Sequence, residues 1–402
     1  MSARPWSSVL SDCMAHLHPL GSESVPRRAV LGRLLAGDIL ADRDYPHGDL
    51  STMDGYAIAD DRQEVYEVVG ENSPGNGPGD PLETGTARRI FTGAELPQGA
   101  SRVVPQEATT RDGHRLRISQ HSDAAYTRRK GSEAREGDVV LKSGTRMGPV
   151  EQSLLATIGV SGVQVAMRPR VVHIVTGDEV VDPDSTGPGS SIRDSNSDLV
   201  AATLSRRGYD VAAQHRIGDD RQRTIQIVAE SAEGSDVLLV SGGASVGDHD
   251  HARAALEAAG FQFLVHGVNL RPGKPVGIAR RNNQWAVALP GNPVSHLVSL
   301  NLFVIPILRG LEGEKEIEPA FIEGTLYESL TMDVPRRTTL WPARAQLKDG
   351  RILLVARRFL SSGDLIGIAG VNALILFPEG IEISPAGAKA LFLPLDSSWF
   401  HG

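Results

Sequence analysis

From Arg170 to Leu308 the sequence alternates short apolar runs with segments of helical spacing, and this limits the fold more than any other feature. Val171-Val-His-Ile-Val-Thr reads as a buried strand. Ser195-Asn-Ser-Asp caps a helix over residues 199–207, which Gly208 closes. A second strand follows at 211–217 and a second helix at 219–230. Asp236-Val-Leu-Leu-Val is a third strand, and 250–259 a third helix. Residues 275–279 and 285–289 form a hairpin around Arg-Arg-Asn-Asn-Gln, and 293–308 is a closing helix bent near Pro306. Strands that alternate with helices are connected by crossovers, so the expected fold is α/β, a parallel sheet with helices on both faces.

The rest of the chain has other textures. Residues 25–37 place Val30, Leu31, Leu34 and Leu35 on one helical face, with Pro26 suited to the first turn and Gly37 to the end. Residues 49–142 carry short alternating runs between Gly- and Pro-rich turns, and residues 150–158 return to helical spacing. An acidic, polar boundary at 312–318 precedes short strand-like runs from Phe321 to Phe400. The predicted organisation is elongated and multidomain. It has a split N-terminal helical or linker domain (1–48 and 143–169), an inserted β domain (49–142), the α/β domain (170–311) and a C-terminal β domain (319–402). A chain of 402 residues supplies enough length for that division.

Charge and cysteine usage exclude whole classes of function. With 41 Lys and Arg against 49 Asp and Glu, the net charge is −8, which argues against a nucleic-acid partner held by broad phosphate neutralisation. The single cysteine, Cys13, rules out an internal disulfide and any cluster of thiolates. The N-terminal residues lack the pattern of a signal peptide, and the apolar stretch 297–308 is interrupted and too short to span a bilayer. The expected localisation is cytoplasmic, with no membrane span.

Five segments have the residue types that chemistry needs. In Val240-Ser-Gly-Gly-Ala-Ser-Val-Gly-Asp-His-Asp250 a strand runs into a Gly/Ser loop and a helix begins beyond it. Ser241, Gly242, Gly243, Ser245 and Gly247 would bring backbone N–H groups to an anion, at the strand end where open α/β sheets bind ligands. The plain alternative is a tight structural turn. In Leu270-Arg-Pro-Gly-Lys-Pro275 a Pro-Gly turn separates two cations, Arg271 and Lys274, which suits a phosphate or another oxyanion and equally a solvated turn. Pro290-Gly-Asn292 precedes a helix that Asn292 can cap, and Gly291 permits close approach. Asp54, in Ser51-Thr-Met-Asp-Gly-Tyr-Ala57, reads alone as an ordinary Asp-Gly turn. Thr176-Gly-Asp-Glu179 and Ile217-Gly-Asp-Asp220 follow two strands. Together with Asp250, Glu179, Asp219 and Asp220 form a convergent set of oxygen ligands suited to Mg²⁺, although each acid alone reads as a helix cap.

In order, Met53-Asp-Gly-Tyr-Ala57, Phe91-Thr-Gly-Ala94, Val104-Pro-Gln-Glu107, Arg128-Arg-Lys-Gly131, Thr176-Gly-Asp-Glu179, Ser241-Gly-Gly-Ala-Ser-Val-Gly247, Arg271-Pro-Gly-Lys-Pro275 and Leu289-Pro-Gly-Asn-Pro-Val-Ser295 resemble the molybdopterin molybdenumtransferase family, which includes the MoeA proteins and the gephyrin E domain. The resemblance implies an enzyme of molybdenum cofactor biosynthesis. Such an enzyme inserts molybdate into adenylylated molybdopterin and releases AMP, with Mg²⁺ at the diphosphate. The substrate brings its own sulfur ligands, so the protein needs no cysteine cluster. The family pattern gives catalytic roles to Asp54, Thr92, Glu179 and Asp250. Substrate contacts fall to Arg128, Ser241, Gly242, Gly243, Ser245, Gly247, Arg271, Lys274, Pro290, Gly291 and Asn292, and Mg²⁺ to Glu179, Asp219 or Asp220, and Asp250. It also implies a homodimer in which Asp54, Thr92 and Arg128 face the α/β domain of the other subunit.

The sequence departs from the family pattern at three places. Glu133 stands where many members carry Asp, Arg271 replaces a frequent Lys, and Gly367 occupies a position where many have serine. The last change weakens any C-terminal contribution to the site. A rival reading is a gephyrin-like scaffold that binds a short peptide of a membrane or cell-division cytoskeletal protein, with insertion activity weak or lost.

Overall fold

The computed structural model describes residues 4–59, 63–185, 187–242, 251–332, 334 and 336–396. The chain divides into two compact units, Ser24–Val165 and the remainder, Met1–Glu23 with Ala166–Gly402.

The larger unit is built on a six-stranded sheet in the order Val211–Ile217, Val171–Thr176, Val237–Ser241, Gln284–Leu289, Gly277–Arg281, Gln262–His266. The first four strands are parallel, and Gly277–Arg281 runs antiparallel to both of its neighbours. Val171–Thr176 and Val237–Ser241 are buried at every position, as expected of central parallel strands covered on both faces. Alternate residues feed two cores. Val171, Val237 and Leu239 pack with Val200, Leu204 and Val294 on one side. Val172, Ile174, Leu238 and Val240 pack with Ile227, Val228 and Leu256 on the other. The helices are Asn196–Ser205, Arg221–Ala232 and His251–Ala258.

The closing helix is α-helical over Pro293–Ser299, widens to a π turn over Leu300–Val304, and resumes as Ile305–Glu312. Pro306 lies in the first turn of the last piece, where its missing N–H costs least. The whole run, Pro293–Glu312, is 20 residues, longer than the stretch 297–308 singled out in the sequence, and by length and apolarity alone it could cross a membrane. In the fold it is a core helix, 94% buried over its apolar length.

The C-terminal strands Thr338–Lys348, Arg351–Ala356, Ile322–Leu326, Lys389–Pro394 and Ala373–Phe377 pair in that order, and the last pairs back with the first. The sheet is therefore closed and leaves no free edge within the ring. Leu270–Arg271 adds in parallel to Thr338 and Thr339 and so ties this barrel to the α/β layer.

The smaller unit carries a sheet in the order Arg102–Pro105, Gly55–Ile58, Thr86–Ile90, Val65–Asn72, Arg115–Ile118, Thr109–Asp112. Its one helix of length, Pro149–Thr157, is capped by the Glu151 carboxylate, which accepts from the Gly148 N–H at 2.9 Å. The helix predicted over 25–37 does not form. The segment is the strand Ser22–Pro26, a single 3₁₀ turn Arg27–Ala29 and further turns, with Gly32 at φ +71°. Its backbone donors pair with distant segments: Gly32 with Met147, Leu35 with Thr145 and Ala36 with Gln164. Val30, Leu34 and Leu35 are buried as predicted, whereas Leu31 is exposed. The first helix of the chain is instead Trp6–Met14, which buries Val9, Leu10 and Cys13.

Candidate active site

In the larger unit four neighbouring parallel strands end side by side, each followed by a glycine within two residues: Gly177, Gly218, Gly242 and Gly291. The ends are stitched together. Gly177 donates to the Ile217 carbonyl at 3.2 Å and Gly242 to the Leu289 carbonyl at 3.4 Å. The Asp178 carboxylate accepts from the Asp219 N–H at 2.9 Å. Gly242 has φ +94°, and a Cβ there would sit 2.5 Å from the Thr176 carbonyl oxygen. A Cβ on Gly291 would lie 4.0 Å from the Gly242 Cα, so Gly242 and the Pro-Gly-Asn turn are adjacent. Gly243, Ser245, Gly247 and Asp250, four of the predicted site residues, lie outside the described residues.

The acids separate into two kinds. Glu179 and Asp219 are exposed at adjacent strand ends. Asp220 is the N-cap of Arg221–Ala232 and accepts from the Arg223 N–H at 2.8 Å, so one of its oxygens is engaged by its own helix. Among the described residues no group of three or more His, Cys, Asp or Glu is placed to hold a metal. Two exposed carboxylates nevertheless match the way Mg²⁺ is usually bound, by one or two carboxylates plus substrate phosphate oxygens.

Asp194 was not foreseen. It is buried, accepts from the Ser197 N–H at 3.0 Å and hydroxyl at 2.6 Å, and meets the Arg216 guanidinium at 3.2 Å. Burial pushes its carboxyl up, but the Ser197 and Arg216 contacts outweigh burial and hold it below the usual range. Arg216 also reaches Asp182 at 3.2 Å. The segment that carries Glu179 is thereby clamped, since Glu179 O accepts from Ile192 N and Val181 O from Asp194 N. Asp194, rather than Ser195, supplies the side-chain cap of the helix Asn196–Ser205.

The Ser241 side chain faces inward, which leaves only its backbone for the expected role. It is buried, with its hydroxyl between His173 Nε2 at 2.6 Å and His296 Nε2 at 3.2 Å. Burial pushes both rings down, His173 to about 3 and His296 to about 4. Asn292 occupies the N-cap position of Pro293–Ser299 but makes no side-chain cap bond. Its amide donates to the Ser362 hydroxyl at 2.7 Å. The Val294 N–H donates to the Ser362 carbonyl, so a C-terminal loop seats on the turn. In that loop Asp364 accepts from the Leu360 and Gly367 N–H groups, and a Cβ at Gly367 would fall 2.5 Å from its carboxylate. Glycine at 367 is thus what this loop geometry requires. Arg271 is half-buried at the end of its short strand and Lys274 is exposed. Their Pro-Gly turn packs on the closing helix, where a Gly273 Cβ would lie 3.5 Å from the Ser299 hydroxyl.

In the smaller unit Asp54 and Thr92, 38 residues apart, come together. The Thr92 N–H and hydroxyl each donate to Asp54 Oδ1 at 2.8 Å. These two bonds, the amide first, and the nearby Arg89 charge hold the carboxyl below its usual range. Arg89 lies over the rings of Tyr56 and Phe91, each centroid 5.1 Å away, and bonds Gln106. Arg128 meets Glu133 at 3.1 Å with both side chains about half exposed.

Comparison with known proteins decides the family. The model described as "MoeA N-terminal region (domain I and II)" matches residues 4–159, and that described as "Probable molybdopterin binding domain" matches residues 172–310. The chain is 34% identical over 388 residues to the molybdopterin molybdenumtransferase of Nostoc sp., covering 93% of this chain and 89% of that one. It belongs to the molybdopterin molybdenumtransferase family. The enzyme of the same name from Staphylococcus aureus is 32% identical over 369 residues, covering 89% and 87% of the two chains. A crystal structure of the molybdopterin biosynthesis MoeA protein from Pyrococcus horikoshii superposes with a TM-score of 0.82 at 26% identity, covering 98% of this chain and all of that one. Family membership places the chain among transferases of molybdenum cofactor biosynthesis, and these relatives lend the scaffold reading no support. The four strand ends all lie within the segment matched by the molybdopterin-binding model.

Proposed function

We propose that this chain inserts molybdenum from molybdate into adenylylated molybdopterin and releases AMP. The observation that carries the reading is the set of four adjacent strand ends, where Gly242 and Gly291 open the backbone beside the exposed carboxylates of Glu179 and Asp219. The adenylylated substrate is an anion with a diphosphate, and strand-end glycines admit such a group to backbone N–H donors. Glu179 and Asp219, with Asp250 by sequence, would hold Mg²⁺, which supplies charge neutralisation at the diphosphate. Arg271 and Lys274 supply fixed positive charge for the molybdate oxyanion. Asp54, ionised by its Thr92 bonds, is the catalytic carboxylate of the smaller unit, and Arg128 is its substrate-binding cation.

The reading includes a homodimer, a cytoplasmic location and the four-part domain division given above. The test is to incubate pure protein with adenylylated molybdopterin, Mg²⁺ and molybdate while following AMP, with sedimentation velocity run alongside. Molybdate-dependent AMP release by a dimer is expected. No release under any of these conditions overturns the assignment, and a fully active monomer overturns the dimer.

A further inference from the structure

The two buried histidines lie at the centre of a chain of hydrogen bonds whose direction follows from valence once both buried rings are neutral. The Pro290 carbonyl can only accept, so His296 Nδ1, 2.9 Å away, carries its proton. The ring has no exposed surface and is neutral, which leaves His296 Nε2 bare, an acceptor for the Ser241 hydroxyl. That uses the one proton of Ser241. His173 Nε2, at 2.6 Å from the same oxygen, must therefore be the donor. His173 is also fully buried and neutral, so its Nδ1 is bare and accepts from the Gln214 amide at 3.1 Å. The order is Gln214 to His173 to Ser241 to His296 to Pro290, and each link fills the vacancy left by the one before.

This chain ends at the site. The peptide plane between Pro290 and Gly291 is trans and rigid, so a carbonyl drawn inward by His296 turns the Gly291 N–H the opposite way. The Gly291 carbonyl is held in turn by the Asn196 amide at 2.7 Å, which orients the Asn292 N–H likewise. Neither N–H meets a backbone acceptor among the described residues.

The geometry points to Gln214, His173, Ser241 and His296 as positioning residues that hold the Gly291 N–H outward beside Gly242 for an anionic group of the substrate. The substrate named here rests on the function proposed above. The chain explains why a serine at the head of the glycine loop faces inward, and why two histidines are tolerated in a core where an unpaired polar atom costs about 1–3 kcal/mol.

Two measurements test this, and the first needs no substrate. In protein labelled with ¹⁵N-histidine, His296 is expected as the Nδ1–H tautomer and His173 as the Nε2–H tautomer, the resonances being assigned with His296→Gln and His173→Gln. The opposite tautomer at either ring overturns the chain. In the second, Ser241→Ala is expected to weaken binding of adenylylated molybdopterin about tenfold by calorimetry and to raise KM in AMP release by the same factor. Loss of one charge-assisted or well-aligned bond has about that effect. The turnover rate at saturation should fall far less, and Ser241→Thr, which keeps the hydroxyl, should restore most of the affinity. Folded Ser241→Ala with unchanged affinity overturns the positioning role. A wild type that shows the expected tautomers but binds no molybdopterin overturns the proposed function while leaving the hydrogen-bond order intact.

Discussion

Replacing Gly242 by alanine tests the closeness of the strand ends. Two independent costs arise. The backbone there has φ +94°, a region that side chains other than glycine enter at about 1–3 kcal/mol. The new Cβ would also fall 2.5 Å from the Thr176 carbonyl oxygen and 2.8 Å from its hydroxyl. That carbonyl belongs to a central parallel strand paired on both sides, so it has little room to yield. Overpacking of this kind costs about 1–3 kcal/mol. The sum is about 2–6 kcal/mol, a large part of a typical domain's stability. Gly291→Ala is the matched control, because among the described residues its Cβ meets nothing nearer than 4.0 Å and its backbone is not in the left-handed region. Urea unfolding followed by Trp fluorescence should report a clear drop in midpoint for Gly242→Ala and almost none for Gly291→Ala. Gly291→Ala should instead weaken substrate binding, since the methyl lies in the opening beside Gly242. A Gly242→Ala protein as stable as the wild type would refute the closeness inferred at these strand ends.

Four further outcomes are expected. Asp54→Asn should reduce AMP release by about a hundredfold or more with no change in unfolding midpoint, because the carboxylate is exposed and its bonds to Thr92 can be kept by an amide oxygen. The Thr92 bonds depress the carboxyl pKa in the folded state, so the charged form persists on acidification. Activity that depends on it should be lost only as pH falls below the ordinary aspartate value of 3.8, and a rate profile with an acid limb near neutrality would contradict this. Arg271→Ala should raise the molybdate concentration needed for turnover about tenfold to a hundredfold while changing pterin affinity little, as seen by titrating AMP release against molybdate. Burial pushes the Cys13 thiol up to about 12, so a thiol reagent should leave the native protein unlabelled at about pH 8 and label it only after unfolding.

The two central parallel strands are legible because each is a nearly continuous apolar run. Burial on both faces removes any need for polar alternation, and the same rule made 171–176 and 237–241 readable without knowledge of their neighbours. The segment 25–37 misled for a matching reason. Its apolar spacing is that of a helix, yet Gly32 and pairing to residues more than a hundred positions away settle its backbone, and non-local pairing leaves no local periodicity. Trp6–Met14 is hard to read because it is only nine residues long, contains Ser7, Ser8 and Ser11, and has no side-chain cap at its start.

The site divides along the same line. Local signals identified glycines at strand ends, where chain direction alone says that a ligand can enter. They left Asp220 open between a metal ligand and a helix cap, and in the fold it caps its own helix. The Asp54–Thr92 pair spans 38 residues and came only from family resemblance. The inward chain from Gln214 to Pro290 was not legible at all, since Ser241 lies 68 residues from His173 and 55 from His296. A trace of it was present: a histidine within Val-Val-His-Ile-Val is a polar ring in an apolar run, and such a ring needs partners on both nitrogens. Two such rings, at 173 and 296, share one serine, and the Gln214 amide and the Pro290 carbonyl supply the partners for their remaining nitrogens. The strand end at Ser241 therefore rests on a neutral and directional network, and in the proposed function the positive charge for the anion falls to Arg271 and Lys274 rather than to these histidines.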